Sequence, residues 1–399
     1  MLADRRILMT EIVIVDGART PFGTFGGALK DVNAIDLAVI AAKEALNRAN
    51  IDASEVDETI VGNVIQSSGD AVFLARHVGL KTGVRQEVPG LTVNRLCGSG
   101  LQAIISAAQS IELGVNKVVL AGGTENMSQI PHVIRDARWG IPLGKTTMQD
   151  YLWESLYDPI GDCTMSITAE NLAKKYEISR EEVDRFAKLS QDRAQRAIEK
   201  GIFAEEIVPV ETKQKKAIVT VSKDEHPRNV TMEQLQKLPA RFIENGVVTP
   251  GNASGINDGA AMLVVTTADY AKERGLKPIA RLVSYDIVGV DPTIMGIGPV
   301  PAILGALEKA SLSIKDLDLI EINEAFASQY LACQKELDFP EEIGNVNGGA
   351  IALGHPLGAS GARLALTAAY ELKRRGGKYG ATALCIGGGQ GIAAIWEAL

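Results

Sequence analysis

The apolar positions of this chain fall into helical and strand-like patterns, and the same succession of them occurs twice. Ala45-Leu46, Ala49 and Ile51 keep the spacing of an amphipathic helix. Val56-Asp57 then lead through a short loop into the apolar pair Ile60-Val61, which predicts a buried strand. The pattern returns 261 positions later as Ala306-Leu307, Ala310, Leu312 and Leu317-Asp318, followed by Ile320 and Ile322. At the same offset, residues 94–100 lie over residues 355–361, each a glycine-rich turn running into an alanine-rich helix. A third pair, residues 118–123 and 383–388, matches with a slip of a few positions, each segment a strand ending in glycines. Three such pairs in one order predict duplicated α/β domains.

Between the repeats, residues 124–246 are richer in charge and in helical pattern, as in Arg180-Glu181-Glu182-Val183-Asp184-Arg185-Phe186, with loops at 158–162 and 226–228. This stretch is expected to form a lobe of its own, inserted into the first repeat. The chain is then expected to return through Gly251-Asn252-Ala253-Ser254-Gly255 and a strand over 261–266. The predicted division is therefore 1–123 with 247–272, an inserted lobe 124–246, and 273–399.

Composition narrows the partners. A net charge of −8 without a basic stripe argues against nucleic acid and anionic membrane, while leaving room for a local basic pocket for one phosphorylated ligand. No apolar run reaches the roughly 18 residues a membrane helix needs. The opening residues carry no apolar core of signal-peptide length, and Met9 reads as an alternative start. The last residues, Trp396-Glu397-Ala398-Leu399, carry no peroxisomal tripeptide, so a cytoplasmic enzyme is expected.

The candidate chemistry lies in the repeated turns. Of the four cysteines, none forms a C-x-x-C pair or has histidines at zinc-ligand spacing, and no metal site is expected. Cys163 and Cys333 read as buried small hydrophobes. Cys97 follows strand-like Leu91-Thr92-Val93 and precedes Gly98-Ser99-Gly100 and a helix, so its sulfur faces a helix N-terminus that favours thiolate. A buried structural cysteine is the plain alternative. His355 occupies the duplicate turn; a pseudo-twofold axis would bring it to Cys97, where an imidazole and a thiol with near-neutral pKa values exchange a proton. A capping or core histidine is the alternative there. Cys385 ends a strand before Gly387-Gly388-Gly389-Gln390-Gly391. A dinucleotide loop is excluded: the spacing is not G-x-G-x-x-G, and eight residues after Gly391 leave no room for a helix and second strand. The pattern reads as strand, glycine turn, strand, with turn N–H groups free to hold an oxyanion. Asn323 is either a helix cap or an amide that orients a water or a catalytic group, and Glu324 is a candidate partner of His355.

Residues 94–100, 323–326, 348–361 and 385–391 resemble the signature segments of thiolases, and residues 16–23 and 251–258 resemble that family too. The likeness covers nearly the whole chain. It implies a five-layered α/β/α/β/α fold of two duplicated domains plus an inserted loop domain, as a homodimer or homotetramer. It implies Cys97 as the acyl-accepting nucleophile, His355 as its base and Cys385 as the acid/base at the substrate α-carbon or leaving thiol. Asn323 would hold a water that forms one oxyanion hole with His355, and the N–H groups of Cys97 and Gly387 would form the other. Ser254, Arg228 and Leu156, with Met165, Ala325 and Phe326, would lie along coenzyme A. Acyl-CoA and coenzyme A would be substrates, with no permanently bound cofactor. One departure concerns chain length: where short-chain members carry a His-Met pair, this chain has Thr164-Met165. A ketoacyl synthase-like condensing enzyme would have a second histidine in place of Cys385. A non-catalytic acyl-CoA-binding scaffold would have lost Cys97 or His355.

Overall fold

In the computed structural model, which describes residues 10–214 and 217–399, the repeated strand patterns assemble into one sheet. The alternative start at Met9 lies outside the described residues. In chain order the longer strands of the sheet are β1 (Ile12–Arg19), β2 (Glu58–Gly62), β3 (Gly90–Val93), β4 (Val119–Asn126), β5 (Asn257–Thr267), β6 (Ala280–Gly289), β7 (Leu319–Ile322), β8 (Tyr379–Ile386) and β9 (Gln390–Ala398). Across the sheet they run β3-β2-β4-β5-β1-β6-β9-β8-β7, and the short strand Gly23–Thr24 adds to β5.

The two halves have the same plan. β2 is parallel to β4, and β4 antiparallel to β5; β7 is parallel to β8, and β8 antiparallel to β9. They join where Ile12, Val13 and Ile14 of β1 pair with Leu282, Arg281 and Ala280 of β6. Strand register fixes the repeat more tightly than glycine matching does. Glu58 pairs with Val119, and Leu319 pairs with Gly380, so the offset of 261 carries through both pairs of strands. This corrects the slipped match of 118–123 with 383–388. Gly122 and Gly123 lie inside β4, whereas Gly387–Gly389 form the hairpin beyond β8. Equivalence in a sheet follows hydrogen-bond register and pleat.

The longer helices are α1 (Ala34–Ala49), α2 (Leu74–Thr82), α3 (Ser99–Glu112), α4 (Met165–Lys175), α5 (Arg180–Glu199), α6 (Pro299–Ala310), α7 (Ala327–Leu337) and α8 (Leu357–Arg375). Side chains alternate across each strand. Val119, Ala121 and Leu263 of one half and Leu384, Ile392 and Trp396 of the other pack on α3 and α8, which lie between the two halves. Leu120, Met262 and Val264 face α1 and α2, while Ala381 and Ile395 face α6 and α7. The expected five layers are present, with the two β layers continuous through the β1·β6 seam. The central helices cross where glycine is required. A Cβ on Gly100 would lie 2.7 Å from Gly358 O, and one on Gly361 would lie 2.4 Å from Leu101 N. These glycines are themselves 261 positions apart, so the crossing sits where the repeats meet.

The chain leaves the sheet after β4 and returns at β5. The intervening stretch packs against both halves. Helix α5 starts at a capping box formed by Ser179 and Glu182, and its apolar face needs cover. Val183, Phe186 and Ala187 find that cover in the outer core of the second half, where the Phe186 ring stacks on Tyr330 at 4.3 Å. A buried ion cluster ties the stretch to the first half. Arg19 donates from Nε to Glu206 (2.8 Å) and from both Nη atoms to Asp224 (2.7 and 2.9 Å). Arg19→Ala would leave two buried carboxylates without their cation, at a cost of about 3–5 kcal/mol. Chemical denaturation should report a loss of that size; a loss under about 1 kcal/mol would mean that other groups take over the pairing.

Candidate active site

Between β3 and α3 the chain makes a turn that presents Cys97. Leu96 has φ 46°, a left-handed conformation that costs a branched side chain about 1–2 kcal/mol. Local hydrogen bonds hold it there. The Leu96 N–H donates to Asn94 Oδ1 (2.9 Å), and Asn94 Nδ2 donates to Val64 O (3.0 Å). Ser99 Oγ accepts from the Arg95 N–H (2.9 Å) and donates to Leu96 O (2.7 Å). The N–H groups of Gly387 and of Cys97 itself lie near the Cys97 sulfur and favour its charged form. The residue keeps some solvent access, yet its surroundings are dense enough that burial pushes the thiol up to about 11; the nearby N–H groups oppose this and the Glu125 carboxylate adds to it. The helix terminus therefore does not produce a resting thiolate, because desolvation is the larger effect.

His355 is buried at the start of α8. Ser360 Oγ donates its single proton to Pro356 O (2.9 Å), so it accepts from His355 Nδ1–H at 2.6 Å. That assigns the tautomer and leaves the Nε2 lone pair to act as a base. Asn323 Nδ2 lies 3.3 Å from Nε2, and the His355 N–H donates to Asn257 Oδ1 (3.1 Å). Burial, followed by the Arg363 cation, pushes the imidazole down to about 3. The near-neutral values expected for the pair are thus driven apart, and the resting site holds a thiol and a neutral imidazole. Among the described residues there is no direct hydrogen bond from Cys97 to His355. Glu324 is not the partner of His355: it binds Ser190 Oγ (2.7 Å), Asn345 Nδ2 (2.8 Å) and the Ile351 N–H (3.1 Å). Nor does Asn323 cap a helix, since α7 begins at Ala327; its buried Oδ1 has no partner among the described residues.

Cys385 ends β8 and pairs with Gly391 across the hairpin. Burial raises its thiol well above the ordinary value, with the nearby Cys97 and Cys333 sulfurs adding to the effect. Gly388 and Gly389, at φ 77° and 80°, make the turn. A Cβ on Gly387 would meet Met165 Sδ at 3.3 Å and Leu96 Cδ1 at 3.4 Å, so this hairpin sits directly on the Cys97 turn. Arg95 Nη1 donates to Gln390 Oε1 (3.0 Å) and fastens the two together.

A cavity of about 300 Å³ opens beside these groups, lined by His355, Leu357, Phe326, Met165, Leu156 and Ser254 among mostly apolar neighbours. Cys97 packs with Leu357, Ile256 and Met127 from that lining. Cys385 and Ala325 lie behind Met165 and Phe326. Ser254 is strapped in place by its N–H to Ala325 O (2.9 Å). Thr164, at the point of departure from the short-chain pattern, also lines the cavity, and its buried Oγ1 has no partner among the described residues. Arg228 is not part of the lining. It is exposed, its N–H held by Gln191 Oε1 (2.8 Å) and its guanidinium 3.3 Å from Nε2 of His226, whose ring backs Gly255 beside Ser254. A larger cleft of about 650 Å³ along residues 134–149 has no cysteine or histidine in its lining, so the smaller cavity is the candidate chemical site. Sequence reasoning missed Ser360, Asn257 and Glu125. Ser360 alone was signalled, five residues past His355 on the helix that follows it.

Comparison with known proteins identifies the family. The model of the thiolase N-terminal domain matches residues 12–269, and that of the thiolase C-terminal domain matches residues 276–398. The human protein named 3-ketoacyl-CoA thiolase, mitochondrial, is 53% identical over 390 residues, covering 97% of this chain and 98% of that protein. The crystal structure of human mitochondrial 3-ketoacyl-CoA thiolase in complex with CoA superposes with a TM-score of 0.96 at 52% identity, covering 98% of this chain and 99% of that one. The crystal structure of the Bacillus anthracis acetyl-CoA acetyltransferase gives a TM-score of 0.96 at 50% identity, with coverage of 98% and 99%. With both domain models matched in order across almost its whole length, this chain belongs to the thiolase family.

Proposed function

We propose that this acyltransferase cleaves 3-ketoacyl-CoA by thiolysis, and in reverse condenses acetyl-CoA, through an acyl group carried on Cys97. In the cleavage direction Nε2 of His355 takes the Cys97 proton as the sulfur adds to the 3-carbonyl. The C2–C3 bond then breaks, Cys385 protonates the departing enolate, and acetyl-CoA leaves. Coenzyme A attacks the acyl-cysteine, its thiol proton passing to the Cys385 thiolate; the shortened acyl-CoA is released as the Cys97–acyl bond breaks, and His355 returns its proton to Cys97. A step that develops negative charge on oxygen needs aimed donors, each worth about 3 kcal/mol. The N–H groups of Cys97 and Gly387 are one candidate pair, and His355 with a water held by Asn323 is the other. The single observation that carries this reading is that the Gly387 hairpin packs on the Leu96–Cys97 turn, with Cys385 two residues from Gly387 and His355 on the wall of the adjoining cavity.

The cavity side chains Leu156, Met165, Ser254 and Phe326 are assigned to the pantetheine and acyl end of coenzyme A, with Ala325 supporting them and Arg228 outside at the entrance. The three-part division of the chain, with residues 124–246 as the coenzyme A-binding part, belongs to the same proposal. So does association as a homodimer or homotetramer, supported by the edge strand β3 with its exposed Leu91 and by the exposed Phe73 at the start of α2. No helix among the described residues is long and apolar enough to cross a membrane. The cytoplasm is the compartment proposed from the sequence, although the human relative is named mitochondrial.

The test is the thiolysis rate across 3-ketoacyl-CoA substrates of increasing length. Thr164 gives the cavity a small hydroxyl where the short-chain pattern has an imidazole, so turnover is expected to persist beyond four-carbon substrates. No thiolysis at any length, together with decarboxylation of a malonyl thioester, would replace the proposal with a condensing-enzyme reading.

A further inference from the structure

We infer that Glu125 is a positioning residue that locks the His355 turn and the Cys97 turn to each other; this rests on the catalytic reading above. Glu125 lies at the end of β4 with its side chain fully buried. Its Oε1 accepts from Asn63 Nδ2 (3.1 Å) and the Ile65 N–H (3.0 Å). Its Oε2 accepts from the Val64 N–H (2.9 Å) and the Gly358 N–H (3.0 Å). Gly358 belongs to the first turn of α8, three residues after His355. On the other side, Val64 O accepts from Asn94 Nδ2, and Asn94 Oδ1 accepts from the Leu96 N–H, so the carboxylate is linked through Asn94 to the strained residue before Cys97. One carboxylate thus holds the histidine turn directly and the cysteine turn through a single intervening side chain.

Two further observations separate this role from ordinary packing. The fit at Gly358 has no slack: a Cβ there would lie 2.4 Å from Thr124 O and 2.9 Å from Glu125 Oε2. And the duplicate of Glu125, 261 positions on, is Ile386, so the second half builds the same strand end with an apolar side chain. The strand therefore does not need a carboxylate, and a buried carboxylate without a cation bonded to it among the described residues is costly. Burial accordingly raises this group to about 7, which marks the expense of keeping it. Asn94 is in turn the duplicate of His355: the same position supplies the imidazole in one repeat and the brace for the sulfur in the other.

The test compares the full-length wild type with Glu125→Gln and Asn94→Ala in steady-state thiolysis and in single-turnover acylation of Cys97 by acetyl-CoA, read by intact-protein mass. Gln keeps the shape but turns an NH2 towards donors. Misplacing a reacting group by about 1 Å costs on the order of 100-fold, so Glu125→Gln should lower kcat and the acylation rate by about that factor, and Asn94→Ala by about tenfold. KM for coenzyme A should stay within about threefold, because the cavity residues are bonded to neither side chain. Where thermal melting shows Glu125→Gln unfolded, Asn94→Ala decides, since Asn94 is on the surface. An active wild type with the folded variants within about twofold in kcat, or a loss confined to KM, would overturn the clamp alone. A wild type without thiolysis would remove the catalytic reading and the clamp with it.

Discussion

Replacing Cys97 by serine is expected to abolish acyl-enzyme formation and to lower turnover by roughly 10⁴-fold or more, as loss of a nucleophile does in other acyl-transfer enzymes. The substitution isolates the chemistry well. The Leu96 turn is held by Asn94 and Ser99, neither of which bonds to the sulfur. The geometry should therefore survive, with coenzyme A still bound in the cavity. What is lost is acidity: the thiol sits at about 11 even when buried, and an alcohol in that place is a far weaker acid. Incubation with acetyl-CoA should add an acetyl mass to the wild type and none to the variant. A Cys97→Ser protein that kept the mass adduct and wild-type thiolysis would end the nucleophile assignment.

His355→Gln should lower the rate of Cys97 acylation by about 10²–10⁴-fold and change its dependence on pH. In the wild type the imidazole, pushed down to about 3, is already in its base form throughout the neutral range, and the thiol, pushed up to about 11, is still protonated there. Lowering the pH from about 8 to about 5 therefore does not protonate His355, and no loss should be traceable to it. Without the imidazole, solvent must remove the proton. The thiolate fraction then rises about tenfold per pH unit until the thiol pKa is reached, so the variant should regain rate steadily as pH increases while the wild type stays nearly flat. The check is single-turnover acylation by acetyl-CoA, which needs no free coenzyme A thiol. A variant as flat with pH as the wild type would show that another group takes the Cys97 proton.

Both predictions draw on features that were unevenly legible in the chain. Cys97, His355 and Cys385 stood out because each interrupts a repeated apolar pattern with a reactive group on a glycine turn, and turn chemistry is local. The same offset aligned Gly100 with Gly361, but that the two central helices cross there is a property of the fold. Glu324 was misassigned because adjacency to Asn323 says nothing about where an alternating chain points it; the fold turns it to Ser190 and Asn345. Arg228 was placed on coenzyme A by resemblance, yet lies on the surface outside the cavity lining.

The amino-acid order by itself determined the duplication and pointed to three candidate reactive side chains on glycine turns, since periodicity and turn composition act over a few residues; the layers came from the family resemblance. Only the tertiary structure decided the ionisation of those side chains, the Ser360 bond that sets the imidazole tautomer, the seam that makes two sheets one, and the carboxylate of Glu125 between the two turns. Ionisation depends on how much water the surrounding fold removes, and partners far apart in the chain depend on strand register and helix crossing, neither of which is written in any local stretch.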